Sequence, residues 1–486
     1  MWLTAAMSNR CLLTFGRSRG LKQLRVCALA SRNGYSTATA TVEEREDLYP
    51  AIKPLYPPGD WGGMSRKIAW KFYEEGVEIN KIPHLKRRLQ AMAGEVFHPY
   101  YNVQLVDHRP ILPYKLFITK THVENGLPDL YSALSEELDS KYDQLKSEVQ
   151  DSILQAHDEL YLLRMRRTFV PFTTPYFAQL TLKALFNRIT ASLSTEKEHF
   201  LRAQVDEDVP IETFWLKSGY SDIIKTGNLH YTEALRLRVT YDATMQIRTE
   251  QPLPEFAPQD AEISQGDYQQ YPYHPRSLVQ SYAYLRPKTV SGHWLDDPCE
   301  FAHTVICGVD RAWTNFRESH GIDLALKETL AMAVMTGFGS TVAQAHNQGF
   351  SQYWDVTYPF TTQVIISDGQ YIRFGAYQLN TLQLAKDDTA NKLRNIMWTS
   401  DCERLYDVIE DGQLKGFNDD VCKNLIKFML LSPRNRGVDM RPYLPEYPSP
   451  LNGKALINNV GEEPFEHKKL GRFEIPRNAL YDSMDS

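Results

Sequence analysis

The sequence predicts a mixed α/β fold of two lobes, the second built round a β-hairpin and followed by an extended tail. Three stretches carry that expectation. Residues 130–167 repeat apolar side chains at helical spacing, with Leu145, Val149, Ile153 and Leu154 forming one stripe. Residues 205–250 alternate instead, as in Leu235-Arg-Leu-Arg-Val-Thr-Tyr241, which is the two-residue period of a strand. Then Val364-Ile365-Ile366, Ser367-Asp368-Gly369 and Gln370-Tyr371-Ile372-Arg373-Phe374 set two β-rich runs about an Asp-Gly pair, whose backbone tolerates the positive φ of a tight turn.

Taken in order, residues 1–42 contain no Asp or Glu and carry Arg10, Arg17, Arg19, Lys22, Arg25 and Arg32 among Leu, Ala, Ser and Thr. That composition predicts a mitochondrial transit peptide, and Arg17 to Arg25 interrupts the apolar core a secretory signal needs. Arg32-Asn-Gly-Tyr-Ser36 resembles the arginine-proximal cleavage site of matrix presequences. Residues 43–64, acidic and then proline-rich, read as an extended lead-in. A first lobe is expected over 65–250, opening with a helix over 65–92 and including the helix over 130–167 and the strands after 205. Residues 251–277, rich in Pro, Gln and Tyr, read as a linker or long surface loop. The second lobe is expected over 278–432. It holds a buried helix from Ile322 to Met335, interrupted at Gly337-Phe338-Gly339 and resuming from Ser340 to Gln348, and then the hairpin followed by a loop. Its last helix starts at Asn418 and Asp419, either of which can accept from free helix amides, and stops before Pro433. Residues 433–486, with Pro442, Pro445, Pro448, Pro450 and Pro464, read as an arm that orders against a partner.

Composition limits the function. A hydrophobic content of 42% is ordinary for a soluble protein, and apolar windows such as Leu330 to Val334 are too short to cross a bilayer. Cys11 and Cys27 fall in the leader, and Cys299, Cys307, Cys402 and Cys422 suggest no disulfide framework. The net charge is −6, to which residues 1–42 contribute +6, so residues 43–486 carry −12. So acidic a chain is not held mainly by phosphate contacts, which require Lys and Arg to displace counterions.

Motifs for chemistry are weak. Cys299, His303 and Cys307 stand at i, i+4, i+8 after Asp297-Pro298, a good helix start, and adjacent pairs on one helix face could chelate zinc. All three cannot, because eight residues of helix separate the outer two by about 12 Å. A reduced cysteine pair beside a hydrogen-bonded histidine is the simpler reading. Gly337-Phe-Gly-Ser-Thr341 invites a phosphate-loop reading but lacks the Gly-Lys-Ser/Thr ending, and reads better as a turn between helices. No Gly-x-Ser-x-Gly elbow or His-Glu-x-x-His helix occurs. Asp419 and Asp420 complement a helix dipole. His303 and His346 have no recognisable catalytic partner in sequence. No catalytic residue, metal or cofactor is therefore assigned.

A resemblance adds what these patterns do not. Ser-Asp-Gly369, Tyr377-Gln-Leu-Asn-Thr-Leu382, Arg394-Asn-Ile-x-Trp398, Leu405-Tyr406 and Lys415-Gly-Phe-Asn-Asp-Asp-Val421 resemble the C-terminal signature of the programmed cell death protein nine family of mitochondrial ribosomal proteins. Phe117-Ile-Thr-Lys-Thr121, Gly126-Leu-Pro128, the Tyr161-Leu-Leu-Arg-Met-Arg-Arg167 helix end and the Asp297-Pro-Cys299 element with His303-Thr304 are similar to its earlier parts. The resemblance implies a non-enzymatic component of the mitochondrial ribosome in the matrix. It implies a family first counted in the small subunit and later placed in the large one. It further implies mitochondrial rRNA and large-subunit proteins as partners, among them the paralogous protein numbered thirty-seven. That paralogue is similar through the hairpin and the Asn-x-x-Trp element, and is an alternative identity. A soluble matrix enzyme with a pocket at Gly337, Ser340 and His346 is the alternative of another class. In a ribosomal protein the cationic islands become phosphate-contact candidates: Lys86, Arg87 and Arg88; Arg164, Arg166 and Arg167; Arg434, Arg436 and Arg441; Lys468, Lys469 and Arg472. Otherwise each island is a solvated face, and the second a helix end that suits the macrodipole.

Overall fold

The computed structural model describes residues 98–440, apart from 166–173, 218–234, 272–277, 279, 286–287, 294–296, 352–354, 386–390 and 438–439. The expected leader, lead-in, helix over 65–92 and tail beyond 440 lie outside the described residues.

The Asp-Gly hairpin forms the middle of a ten-stranded mixed sheet. Its arms are β7 (Phe360–Ser367) and β8 (Tyr371–Leu379), paired in register from Phe360↔Leu379 to Ser367↔Ile372. Gly369 takes φ +94°, while the Asp368 carboxylate accepts from the amides of Gln370 (2.9 Å) and Tyr371 (2.7 Å), so the residue pair closes the turn from both sides. Beyond β8 lie β9 (Asn395–Thr399) and then the edge strand β2 (Thr121–Asn125). Beyond β7 lie β6 (Phe301–Gly308), β4 (Leu235–Thr249), β1 (His98–Val103) and β5 (Tyr282–Leu285). β3 (Gln204–Lys217) pairs with β4 along nearly its whole length, and the two-residue β10 (Glu403–Arg404) pairs with β8. β6 runs parallel to β7, and β2 parallel to β9; strands from both expected lobes therefore share one sheet.

Side chains alternate across the strands, so each face carries its own core. Val364, Ile366, Tyr377 and Leu379 enter one, and Ile365, Ile372, Phe374 and Ala376 the other. On the first face lie α1 (Leu112–Thr119), α5 (Arg311–His320) and α6 (Ile322–Asn347). On the second lie α2 (Ser135–Met165), α3 (Thr174–Leu193) and α7 (Asp419–Leu430), while the short α4 (Glu198–Arg202) leads into β3. The stripe expected on α2 is buried at Leu145, Val149 and Ile153, and it continues through Ala156 and Leu160 rather than Leu154. At the start of α7, Asn418 caps the amides of Asp420 and Val421, whereas Asp419 turns outward to Lys146 (2.6 Å) and the Tyr142 hydroxyl (2.6 Å).

Three expectations are corrected. α6 runs unbroken through Gly337-Phe338-Gly339, because its glycines are points of close approach. A Cβ on Gly337 would stand 2.6 Å from the Tyr377 Cβ, and one on Gly339 would stand 2.9 Å from the Tyr241 ring. The Tyr241 hydroxyl then donates to the Thr336 carbonyl at 2.7 Å. Residues 299–307, expected as a helix, instead lead into and form β6. Thr304-Val305-Ile306 is β-branched, and a strand buried on both faces reads as a continuous apolar run. The segment after the hairpin, expected as loop, contains β9, β10 and a small ribbon of β11 (Val408–Glu410) and β12 (Gln413–Lys415). The 251–277 stretch has the expected irregularity. It is nevertheless packed: Leu253, Ala257 and Tyr268 are buried, and the Phe256 and Ala257 amides donate to Gln378 Oε1.

Gly337→Ala tests the close approach. Alanine favours a helix, yet here its methyl group forces α6 away from β8, and we expect a net loss of about 1–3 kcal/mol. Urea unfolding of residues 43–486 should show a lower midpoint at unchanged m. A gain in stability would show that the helix and strand have room between them.

Candidate interaction surfaces

Of the cations singled out in the sequence, Arg434 and Arg436 are described with their side chains. Arg434 is exposed, and its amide donates to the Pro252 carbonyl at 2.8 Å. Arg436 faces inward at 7% exposure: its guanidinium donates to the carbonyls of Leu253 and Pro359 and to Thr361 Oγ1, and meets Glu255 at 3.4 Å. That arginine fastens the start of the tail to the 251–271 segment, which removes it as a phosphate contact. Arg164 lies on the last turn of α2. Lys86, Arg87, Arg88, Arg166, Arg167, Arg441, Lys468, Lys469 and Arg472 lie outside the described residues. Among the described residues, no two of these islands come together.

Elsewhere on the surface many cations are matched by carboxylates, although Arg311, Lys327 and Lys392 are exposed with no ion pair among the described residues. Lys183 meets Glu207 and Asp208, Arg202 meets Glu198 and Glu250, and Arg238 meets Glu212. Lys141 meets both Glu137 and Glu196, and Arg188 meets Glu148 and Asp151. Such pairs add little stability but neutralise the field a phosphate would feel.

The face of α2 turned away from the sheet has a different character. Glu136, Asp139, Asp143, Ser147, Asp151 and Asp158 are exposed at three- and four-residue intervals, with one gap of two turns before Asp158, and so share one side of the helix. Asp151 meets Arg188 at 3.4 Å and Asp158 meets His157 at 3.8 Å, whereas Glu136, Asp139 and Asp143 enter no ion pair among the described residues. Past Leu160, the last side chain of the buried stripe, the same side ends in Tyr161, Leu162 and Met165, exposed by 55%, 55% and 64%. The sequence signal was present: these three positions fall off the Leu145-Val149-Ile153 stripe. The helix-end reading of residues 162–167 concealed it.

Among the described residues, the interior groups singled out in the sequence stand apart from one another. On a strand, His303 and Cys307 are about 13 Å apart, beyond a shared metal. Among the described residues, no three His, Cys, Asp or Glu side chains assemble for one. His303 instead donates from Nε2 to the Leu431 carbonyl (2.8 Å), and its Nδ1 lies 2.8 Å from Thr304 Oγ1 and 3.3 Å from the Gln363 amide nitrogen. This network assigns the neutral imidazole, and burial lowers the pKa to about 4. His346 is buried beside Phe214, 3.1 Å from Thr289 Oγ1, with a pKa lowered by burial to about 3. Ser340 is buried on the same helix, where Tyr377 packs against Gly337. The Gly337–Thr341 segment is mid-helix, so it presents no helix N-terminus to a phosphate.

Two buried charges face each other across the helices. Lys115 of α1 meets Glu328 of α6 at 3.1 Å and also donates to the Leu105 carbonyl. Desolvation lowers the lysine pKa and raises the glutamate pKa, each against the attraction of its partner. Among the described residues no helix is long and apolar enough to cross a membrane.

The one-sheet architecture, the matched surface charges and the signature elements now have a common context. The C-terminal signature spans the hairpin, β9, the small ribbon and the cap of α7, all of which are structured. The model of the family described as mitochondrial 28S ribosomal protein S30 (PDCD9) matches residues 22–433, and the chain belongs to that family.

Proposed function

We propose that the chain is an architectural component of the large subunit of the mitochondrial ribosome, anchored mainly by neighbouring proteins and touching rRNA at a few basic points. Membership in a mitochondrial ribosomal protein family carries the ribosomal role and the matrix location. The family name bears a small-subunit label, so the large-subunit assignment rests on the resemblance of the C-terminal signature. Protein anchorage is supported by the −12 charge of residues 43–486 and by the carboxylates that meet the surface cations. The paralogous protein thirty-seven is the neighbour this reading proposes. Lys86, Arg87, Arg88, Arg164, Arg166, Arg167, Arg434, Lys468, Lys469 and Arg472 are its proposed rRNA contacts, without Arg436.

Sedimentation of a mitochondrial lysate on sucrose gradients tests the proposal. The chain should travel with the large subunit at moderate salt and stay there when salt is raised, since protein packing is less screened than phosphate contact. Migration with the small subunit would overturn the subunit assignment alone. Recovery only at the top of the gradient would overturn the ribosomal role.

A further inference from the structure

The outward face of α2 has an apolar end and an acidic length, and the chain itself covers neither among the described residues. Exposed Tyr161, Leu162 and Met165 form an apolar end, since Met165 stands four residues from Tyr161 and three from Leu162 and so neighbours both on the helix surface. From Glu136 to Met165 the face runs roughly 44 Å at the helical rise. We propose that this face seats a Lys/Arg-rich polypeptide segment of a neighbouring ribosomal protein, with an apolar side chain of that segment lodged against Tyr161, Leu162 and Met165. The inference rests on the ribosomal reading above.

Charge complementarity selects the occupant. Glu136, Asp139 and Asp143 are exposed and outside any ion pair among the described residues, so a cationic segment meets open carboxylates. A phosphate backbone laid along the same face meets five carboxylates at Glu136, Asp139, Asp143, Asp151 and Asp158 and is repelled. The partner's chemistry has an independent physical source: proteins that neutralise rRNA do so with Lys and Arg, and their cationic segments remain cationic where they leave the RNA. Complementary charges set the register of such a segment, and the apolar contact adds the buried anchor that exposed charges do not supply.

A photo-crosslinking residue placed at 143 or at 162 in the full-length chain, imported into mitochondria, reads the occupant directly. Ribosomes are purified on a gradient before irradiation, and the crosslinked peptides are sequenced. We expect both positions to capture one neighbouring protein through a Lys/Arg-rich peptide, with an apolar residue at the point joined to 162. In the Asp139→Lys, Asp143→Lys variant the yield at 162 should fall at least tenfold, while the variant, altered only at exposed positions, keeps the thermal midpoint of the parent. Crosslinks to rRNA from 143, to this chain's own residues or to a peptide without excess Lys and Arg would overturn the inference, and an rRNA crosslink from 162, beside the proposed rRNA contact Arg164, would overturn the apolar lodging. So would an absence of crosslinks in particles that contain the chain, or a yield indifferent to the charge reversal. Absence of the chain from every ribosomal peak, read from the same gradient, would overturn the ribosomal reading and this inference together.

Discussion

Glu328→Ala is expected to destabilise the fold by about 3–5 kcal/mol, because it leaves the Lys115 ammonium buried without its carboxylate. Lys115 keeps one carbonyl acceptor at Leu105, which does not replace a charge 3.1 Å away. α1 and α6 pack directly on each other around this pair, so the damage falls on a helix contact that also holds Phe117 and Ile118 in place. The double variant Lys115→Met, Glu328→Leu should recover most of the loss, since well-packed apolar residues remove both desolvation costs. Urea unfolding of the three proteins decides the matter: a double variant no more stable than Glu328→Ala would locate the damage in packing and not in the stranded charge.

Acidification from pH 7 to pH 5 should cost a comparable amount, through His303 and His346. Both are buried, with pKa values lowered to about 4 and about 3 from an ordinary 6.5. A histidine depressed in the folded state contributes stability that is present above pH 6.5 and lost as pH falls, because the unfolded chain takes up the proton first. Each therefore costs about 2 kcal/mol by pH 5, or about 4 kcal/mol together. His293 and His199, lowered to about 4 and about 3 but less buried, act in the same direction. For His303 the cause is also geometric, since protonating Nδ1 would set it against the Gln363 amide nitrogen that faces it. Thermal melts at pH 7, 6 and 5 should show a falling midpoint, and His303→Gln should flatten the fall. A His303→Gln midpoint that falls with pH as steeply as the parent's would show that the His303 imidazole already reaches water.

What the sequence made legible was local. The Asp-Gly turn, the Asn418 cap and the stripe of α2 are each specified by a few adjacent residues, and each stands in the structure within a residue or two. The errors arose where a distant partner decides the outcome. Cys299, His303 and Cys307 have helical spacing, but β4 and β7 on either side of 301–308 make that segment a strand. Gly337 and Gly339 look like a break until Tyr377 and Tyr241 are seen against them. β9 carries Asn395-Ile-Met-Trp-Thr399, too short for a period to emerge, and becomes a strand between β8 and β2. The same holds for the candidate contacts. Arg436 looks like its neighbour Arg434 in sequence, and only the fold shows one turned inward to Glu255 and the other left outside.

The pairing of β2 with β9 also constrains how the chain comes to be made. Thr121 meets Asn395, so the contact closes a loop of more than 270 residues, and no local turn guides it. A polypeptide delivered into the matrix N-terminus first holds β2 ready long before β9 arrives, and until then the edge of β2 that β9 will take is open to pairing with other chains. The interval between the two strands is thus a period of exposure set by delivery speed, and a product truncated before residue 395 never leaves it.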